Sequence, residues 1–479
     1  MGSIKADYLV VGSGAAGMAF IDVLLRYSEA TAIVVDRHHA PGGHWNDAYP
    51  FVRLHQPSSY YGVCSRQLGT DALDPSPLNT GMTERASAVE LLAYYERLMQ
   101  DYVATGRITF LPRTEHVGDG VVRYLTSNKQ IEVDFEKKLV DTTYLATAVP
   151  STHPPSYAVA DGVRLVTPNE LARIDQSYDN FTVVGAGKTG VDVCLWLFEN
   201  GVSADQIRWI MPRDAWWQNR ASVQRGDKFF EATFGALAAQ MESVATAASM
   251  DDLFTKLEGT QQLLRLDGNV VPEMYHGAIM STDELALLRT IDNVVRQGRI
   301  ERIDNDKIVM TKGTIPAKPN SLYIDCSASG VSRRPLMPVF DERTITLQMV
   351  KPIQPVFSAA LVARVETLEL SETQKNDLCS PAIVPDTPTD WLTVLLAGLN
   401  AQATWSANSD VKSWIAGTRL DTFGSMARAV RPDDVDRLSL LMRLSSNAVP
   451  AISNARRMLK KHASSQASPT AFAAQAVAR

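Results

Sequence analysis

Cysteine is scarce in this 479-residue sequence. Cys64, Cys194, Cys326 and Cys379 are the only four, and they lie far apart. No C-x-x-C pair exists, so neither a thioredoxin-like redox disulfide nor a C-x-x-C zinc site is supported. Free, reduced thiols in a cytosolic compartment are the simplest reading. Histidines are few as well. His38, His39 and His44 lack the carboxylate or cysteine that would complete a metal set at ligand spacing. Long apolar runs are missing. Nowhere do about 18 consecutive apolar residues occur, so no transmembrane helix is expected. An excess of one charge is missing too. The formal net charge is −6, which gives no electrostatic pull toward nucleic acid or an anionic membrane surface. The start, Met1-Gly2-Ser3-Ile4-Lys5-Ala6-Asp7, lacks the basic-then-apolar plan of a signal peptide. Ala6 stands where myristoylation at Gly2 would want Ser or Thr. A cytoplasmic protein is expected, with no nucleic-acid, membrane or metal partner.

What is present is ordinary globular material, 45% hydrophobic and 21% charged, in a length that suits two to four domains. Asp7-Tyr8-Leu9-Val10-Val11 reads as a buried parallel strand, residues 15–27 have helical spacing, and Ala32-Ile33-Val34-Val35-Asp36 is a second strand. Between the first strand and the helix stands Gly12-Ser13-Gly14-Ala15-Ala16-Gly17. A lone G-x-G-x-x-G is weak evidence, but here a strand precedes it and a helix follows. Gly12 allows the tight turn, Gly14 lets a diphosphate approach backbone N–H groups, and Gly17 lets helix and strand pack closely. The helix N-terminus then stabilises the phosphate charge. Asp36, with Arg37 beside it, ends the second strand, where a carboxylate suits a ribose 2′-hydroxyl. An ordinary strand–helix turn is the competing explanation.

The pattern repeats. Phe181-Thr182-Val183-Val184 leads into Gly185-Ala186-Gly187-Lys188-Thr189-Gly190, a helix, and the strand Ile207-Arg208-Trp209-Ile210-Met211. The acidic residue is missing there, and Met211-Pro212-Arg213 stands instead. An arginine at that place suits a 2′-phosphate and selects NADPH. A solvated surface arginine is the alternative, and Asp214 keeps NADH open. Lys188 does not make a Walker A loop, because the spacing is wrong. Two such units in one chain argue for two dinucleotides, and the usual reason to hold two is to pass a hydride from nicotinamide to flavin.

With Gly42-Gly43-His44-Trp45 following Asp36, these residues resemble the flavin-containing and Baeyer–Villiger monooxygenases. The likeness covers the plan of the first 330 residues. The linker Val149-Pro150-Ser151-Thr152-His153-Pro154 keeps only the histidine of that superfamily's Phe-x-Gly…His signature. The resemblance implies FAD on the first unit, with Gly43, His44 and Trp45 along the flavin, and NADPH on the second. It implies an α/β fold of two Rossmann-like domains, the second inserted into the first and carrying a helical insertion. The expected boundaries are 1–175 and 319–479 for the two parts of the FAD domain, the latter with a C-terminal helical region, and 176–318 for the NAD(P)H domain. It also implies formation of a C4a-(hydro)peroxyflavin from O2, with transfer of one oxygen to the nitrogen, sulfur or carbonyl neighbourhood of a small organic substrate. An NAD(P)H-dependent flavin dehydrogenase and a non-enzymatic flavin-binding protein are the rivals. Oligomeric state is unreadable, a homodimer being one option.

Candidate catalytic residues follow the Gly-Gly-His-Trp loop. Gln56 before Pro57 looks like the family's flavin-side asparagine, whose amide could donate a hydrogen bond. Arg53 could place positive charge near a reduced flavin. His44, His55 and His153 read first as structural histidines, and Cys64 and Cys326 as inert thiols. Trp216-Trp217 either covers a nicotinamide or is core. Residues 41–79 read as long ordered loops, 86–105 as a helix, 108–147 as short strands, 216–298 as mainly helical, and Asp325-Cys326-Ser327-Ala328-Ser329-Gly330 as the turn back to the FAD domain. The tail beyond about Lys461, rich in Ala, Ser and Gln, is expected to be mobile at its end.

Overall fold

The computed structural model describes residues 3–328 and 330–467. Met1, Gly2, Ser329 and the end of the Ala-, Ser- and Gln-rich tail lie outside them. The Ser3–Val11 strand forms the middle of the first sheet because its residues are apolar on both faces, Leu9 and Val10 being fully buried. It pairs parallel with Ala32–Asp36 on one side and with Gln130–Asp141 on the other. Ile108–Pro112, Val121–Tyr124, Thr114–Gly118 and Thr344–Thr346 complete seven strands. The Ala15–Tyr27 helix lies between this sheet and the Pro355–Glu366 helix, whose Ala359 to Ala363 are all buried. A helix that is apolar on nearly every face belongs in an interior. The Ala88–Ala104 helix matches the sequence expectation and starts on a reciprocal Ser87–Glu90 capping box.

The second sheet repeats the arrangement. Asn180–Val184 pairs parallel with Ile207–Ile210 and with Ser321–Asp325, flanked by Val294–Val295 and Leu165–Val166. The chain leaves the first unit through Thr147–Ala148 and returns through Gly330–Val331, and these two segments pair antiparallel with each other. The second unit is therefore an insertion entered and left side by side. The expected limits at 176 and 318 fall inside it. Leu165–Val166 already belongs to its sheet, and Ser321–Asp325 still does. Two-residue strands carry too little pattern to be read from sequence.

Residues 216–298 are not mainly helical. Helices Phe230–Thr246, Met250–Gly259 and Thr282–Leu288 are joined by a three-stranded sheet of Ala215–Asn219, Leu263–Leu264 and Met274–Met280. Along the first of these strands Trp217 faces the second-unit core, while Trp216 faces a cluster with Phe254 and Trp391, as alternation requires. Both tryptophans are core. The long Val435–Ala467 helix covers Phe230–Thr246 through Met241, Val244, Ala451, Ala455 and Met458, and Asn454 fixes the register by donating to the Val244 carbonyl at 2.7 Å.

Candidate functional site

The two glycine turns superimpose in their hydrogen bonds. Gly12 N–H donates to Val35 O at 2.8 Å, and Gly185 N–H to Ile210 O at 3.0 Å. Both glycines have positive φ, 100° and 122°, which an L side chain resists. A Cβ on Gly17 would lie 2.1 Å from Gly12 O, and one on Gly190 2.3 Å from Gly185 O. Only glycine permits helix and strand to meet this closely. The helices that follow, Ala15–Tyr27 and Lys188–Glu199, have neither a side-chain cap nor an acidic residue in the first turn. Ser87, Thr167, Ser281 and Ser371 do cap their helices. The first-turn N–H groups of Ala15 and Ala16, and of Lys188 and Thr189, have no intrahelical partner and form two ready anion cradles.

At the first cradle the Gly42–Gly43 loop folds over the turn. Gly42 N–H donates to Ser13 O at 2.9 Å, and a Cβ on Gly43 would lie 2.9 Å from Gly14 Cα. A short 3-10 helix, Gly43–Asn46, begins there. Trp45 anchors it from below, buried, with its Nε1 donating to Tyr61 OH at 3.2 Å. His44 packs on Trp45, and burial pushes its pKa down to about 4, so the ring is neutral. These residues fit a diphosphate. Asp36 does not stand open for a ribose. Its Oδ2 accepts from Ser13 N–H and Oγ–H, both at 2.7 Å. Its Oδ1 accepts from His38 N–H at 2.8 Å and faces His38 Nδ1 at 3.0 Å. All four lone-pair positions of the carboxylate are engaged. The carboxylate locks the glycine turn, and a ribose hydroxyl would have to displace His38 or the Ser13 hydroxyl. Arg37 points outward, with Glu115 at 3.7 Å.

At the second cradle a Cβ on Gly187 would meet nothing within 4 Å, so the turn is open at that point. Lys188 turns to Asp192 one helical turn along, and Tyr49 OH from the first unit donates to the same carboxylate at 2.7 Å. Phe51 stacks on Trp196 at 5.0 Å. In the equivalent register, Met211 stands where Asp36 does, and Arg213 where His38 does. Arg213 is paired with Asp386, its two terminal nitrogens at 3.0 and 3.3 Å from the carboxylate oxygens. Asp214 is buried on Arg296 at 2.8 and 3.0 Å and is not placed to accept a ribose hydroxyl.

Of the expected catalytic pair, Gln56 lies on the half-buried side of its loop, whereas Arg53 does not join the site. Arg53 is 54% exposed, donates to Arg85 O at 3.0 Å, and lies 3.9 Å from Glu90. Its bridge pairing with Ser87 turns it outward. His153 is exposed. His55 instead sits at the junction of the two units. Its Nδ1 accepts from Ile279 N–H at 3.0 Å, and burial together with the charges of Lys188, Arg220 and Arg85 pushes its pKa down to about 3. It is a neutral ring with its proton on Nε2. Beneath it, Glu284 accepts from Arg220 at 2.6 Å and from Arg85 at 3.1 Å, all three buried. Arg220 also donates to Asn79 Oδ1 at 3.2 Å. Sequence reasoning missed this cluster; Glu284 also forms a reciprocal cap with Ser281 at the start of its helix. The four cysteines are free, and among the described residues no His, Cys, Asp and Glu group has metal-site geometry. No described helix is long and apolar enough to cross a membrane.

Two relatives, Uncharacterized protein Rv2000 of Mycobacterium tuberculosis and Uncharacterized protein Mb2023 of Mycobacterium bovis, are 44% identical over 425 residues, 88% of this chain and 79% of theirs. The chain belongs to the family of these mycobacterial proteins. No family model matches it. Among solved structures, an oxidized steroid monooxygenase bound to NADP is similar at TM-score 0.45 and 15% identity, over 76% of this chain and 85% of its own. The polycyclic ketone monooxygenase of Thermothelomyces thermophila is similar at TM-score 0.47 and 11% identity, over 94% and 89%. The flavin-containing monooxygenase of Stenotrophomonas maltophilia is similar at TM-score 0.37 and 14% identity, over 86% and 99%. Those names describe those proteins.

Proposed function

We propose that this chain is an FAD- and NADPH-dependent oxidoreductase that transfers one oxygen atom from O2 to a small organic substrate bearing an amine nitrogen, a sulfur or a ketone. One observation carries the reading: a single chain holds two glycine turns of the same geometry, each opening on an uncapped helix end. Ala15, Ala16 and Gly43 would hold the FAD diphosphate, and Lys188 and Thr189 that of NADPH, with Arg213 toward the 2′-phosphate. When bound, the flavin supplies a hydride acceptor and the site at which O2 reacts. The chain's own groups bind and orient. His44 and His55 are neutral at physiological pH, so they act as fixed hydrogen-bonding groups rather than proton carriers. The half-buried Gln56 amide would serve as a donor toward the flavin.

The test uses the purified protein loaded with FAD. NADPH is added without oxygen and the visible flavin absorbance followed. Air is then admitted with an amine, a sulfide or a ketone, and product and hydrogen peroxide are measured. Bleaching by NADPH, followed by oxygenated product matching NADPH consumed, is expected. Bleaching with peroxide alone removes the oxygen-transfer half. A protein that binds no FAD removes the reading.

A further inference from the structure

Three cationic or donor side chains converge on one carboxylate at the edge of the second unit. Asp386 Oδ1 accepts from Arg213 at 3.0 Å and from His276 Nε2 at 2.9 Å, and Oδ2 from the other terminal nitrogen of Arg213 at 3.3 Å, while the Arg333 guanidinium, which donates to the Pro385 carbonyl at 3.2 and 3.4 Å, stands 3.3 Å from Oδ1 as an ion pair. The donors come from three places: the end of the second-unit strand, the Met274–Met280 strand, and the linker returning to the first unit. All four side chains are about one-third exposed. We propose that Arg213, Arg333 and His276 form a phosphate-monoester subsite of the second cradle, and that Asp386 is a built-in competitor which holds this subsite until a 2′-phosphate displaces it. The inference rests on the dinucleotide reading of the second cradle.

Three features support it. The first is position. Arg213 lies three residues past Ile210, whose carbonyl accepts from Gly185, so the cluster stands where the adenosine ribose of a nucleotide on that turn must pass. The second is stoichiometry. Two guanidiniums face one carboxylate, and one of its oxygens takes two hydrogen bonds with a second guanidinium 3.3 Å away. A phosphate monoester carries up to two negative charges and three acceptor oxygens, which suits two arginines and an imidazole better than a planar carboxylate does. The neighbouring carboxylates are committed elsewhere. Asp214 is held by Arg296, and Asp390 accepts from the backbone of Asp386 and Thr387. The third is the cost of exchange. The Asp386 backbone is pinned, its N–H to Asp390 and its carbonyl to Tyr275 N–H at 2.9 Å. Release of the cations therefore needs rotation of one side chain and no movement of the loop. The carboxylate is firmly ionised in place. Burial opposes its charge, but hydrogen bonds from Arg213 and His276 and the charge of Arg333 hold it well below the usual range.

The experiment is calorimetric titration of the full-length protein with 2′,5′-ADP and with 5′-AMP, for the wild type and for Asp386→Asn, Asp386→Ala and Arg333→Gln, with circular dichroism to confirm folding. Removing the competitor is expected to tighten 2′,5′-ADP by about tenfold while 5′-AMP changes by less than about twofold. Arg333→Gln is expected to weaken 2′,5′-ADP alone by a similar factor. If Asp386→Asn leaves 2′,5′-ADP unchanged or weaker, or shifts both probes equally, Asp386 is a structural ion-pair partner and the proposal fails while the cradle stands. If neither probe binds any folded variant, the dinucleotide reading fails and the subsite with it.

Discussion

Glu284→Gln tests whether the buried charges between the two units are matched as closely as the geometry implies. The wild-type carboxylate is 3% exposed and accepts from Arg220 and Arg85. Burial opposes its ionisation, but the charges of Arg220, Arg85 and Lys188 outweigh it and hold the carboxyl at about 2, against an ordinary 4.5. A depressed carboxylate stabilises the folded state fully above its unfolded value and loses that stabilisation as pH falls through the folded value. The difference corresponds to about 3 kcal/mol at pH 7, falling to about 2 kcal/mol at pH 3.5. Breaking a buried pair by neutralising one partner costs about 3–5 kcal/mol, which agrees. The amide keeps the volume and one acceptor, so the loss is electrostatic, leaving two buried guanidiniums with one fewer counter-charge. The assay is urea unfolding of wild type and Glu284→Gln followed by tryptophan fluorescence at both pH values. A deficit below about 1 kcal/mol at pH 7 would refute the argument, as would one that stays constant down to pH 3.5.

The glycine turns predict opposite results from neighbouring substitutions. Gly190→Ala drives a methyl into Gly185 O and is expected to lower the melting temperature, whereas Gly187→Ala meets open space and should melt like the wild type while weakening NADPH. Equal melting losses would contradict the packing, and undiminished NADPH binding by Gly187→Ala would contradict the cradle. His38 is raised to about 9, chiefly by its hydrogen bond to Asp36 against the effect of burial, with Asp47 adding to it. A raised histidine stabilises fully below its ordinary 6.5 and ceases to as pH passes 9. The melting gap between wild type and His38→Ala should therefore be largest near pH 6 and narrow by pH 9.5. A gap that widens with pH would refute the ion-pair account.

The glycine turns were legible because each glycine answers a backbone demand that no other residue meets, and such demands are local. The parallel strands beside them were legible because burial on both faces leaves an unbroken apolar run. Asp36 was legible as a residue but not in its state. Its saturation depends on His38, two residues on, curling back to the same carboxylate, a choice among rotamers that no pattern encodes. Arg53 and Gln56 lie in the same short stretch, and a bridge to Ser87 across the fold decides that Arg53 turns outward. Asp386 pairs with an arginine 173 positions away, and nothing in its own neighbourhood marks it. What failed to show in the sequence is the set of charge pairings made across the junction of the two units, which only tertiary packing creates.

The pairings at the two cradles share a logic. At the first cradle the chain's own Ser13 and His38 fill the acceptor positions of Asp36, and at the second Asp386 accepts from Arg213 and pairs in charge with Arg333. Leaving such groups unpaired in a partly buried cleft costs more than pairing them, so the chain satisfies them internally. On the proposed reading a nucleotide would have to displace these partners, and its apparent affinity would scale with the fraction of molecules in which they have already let go. The same displacement would make binding selective. On that same reading, a ligand offering a ribose diol at the first cradle, or one offering a phosphate monoester at the second, would recover the lost interactions there, and one lacking that group would leave the internal partner in place.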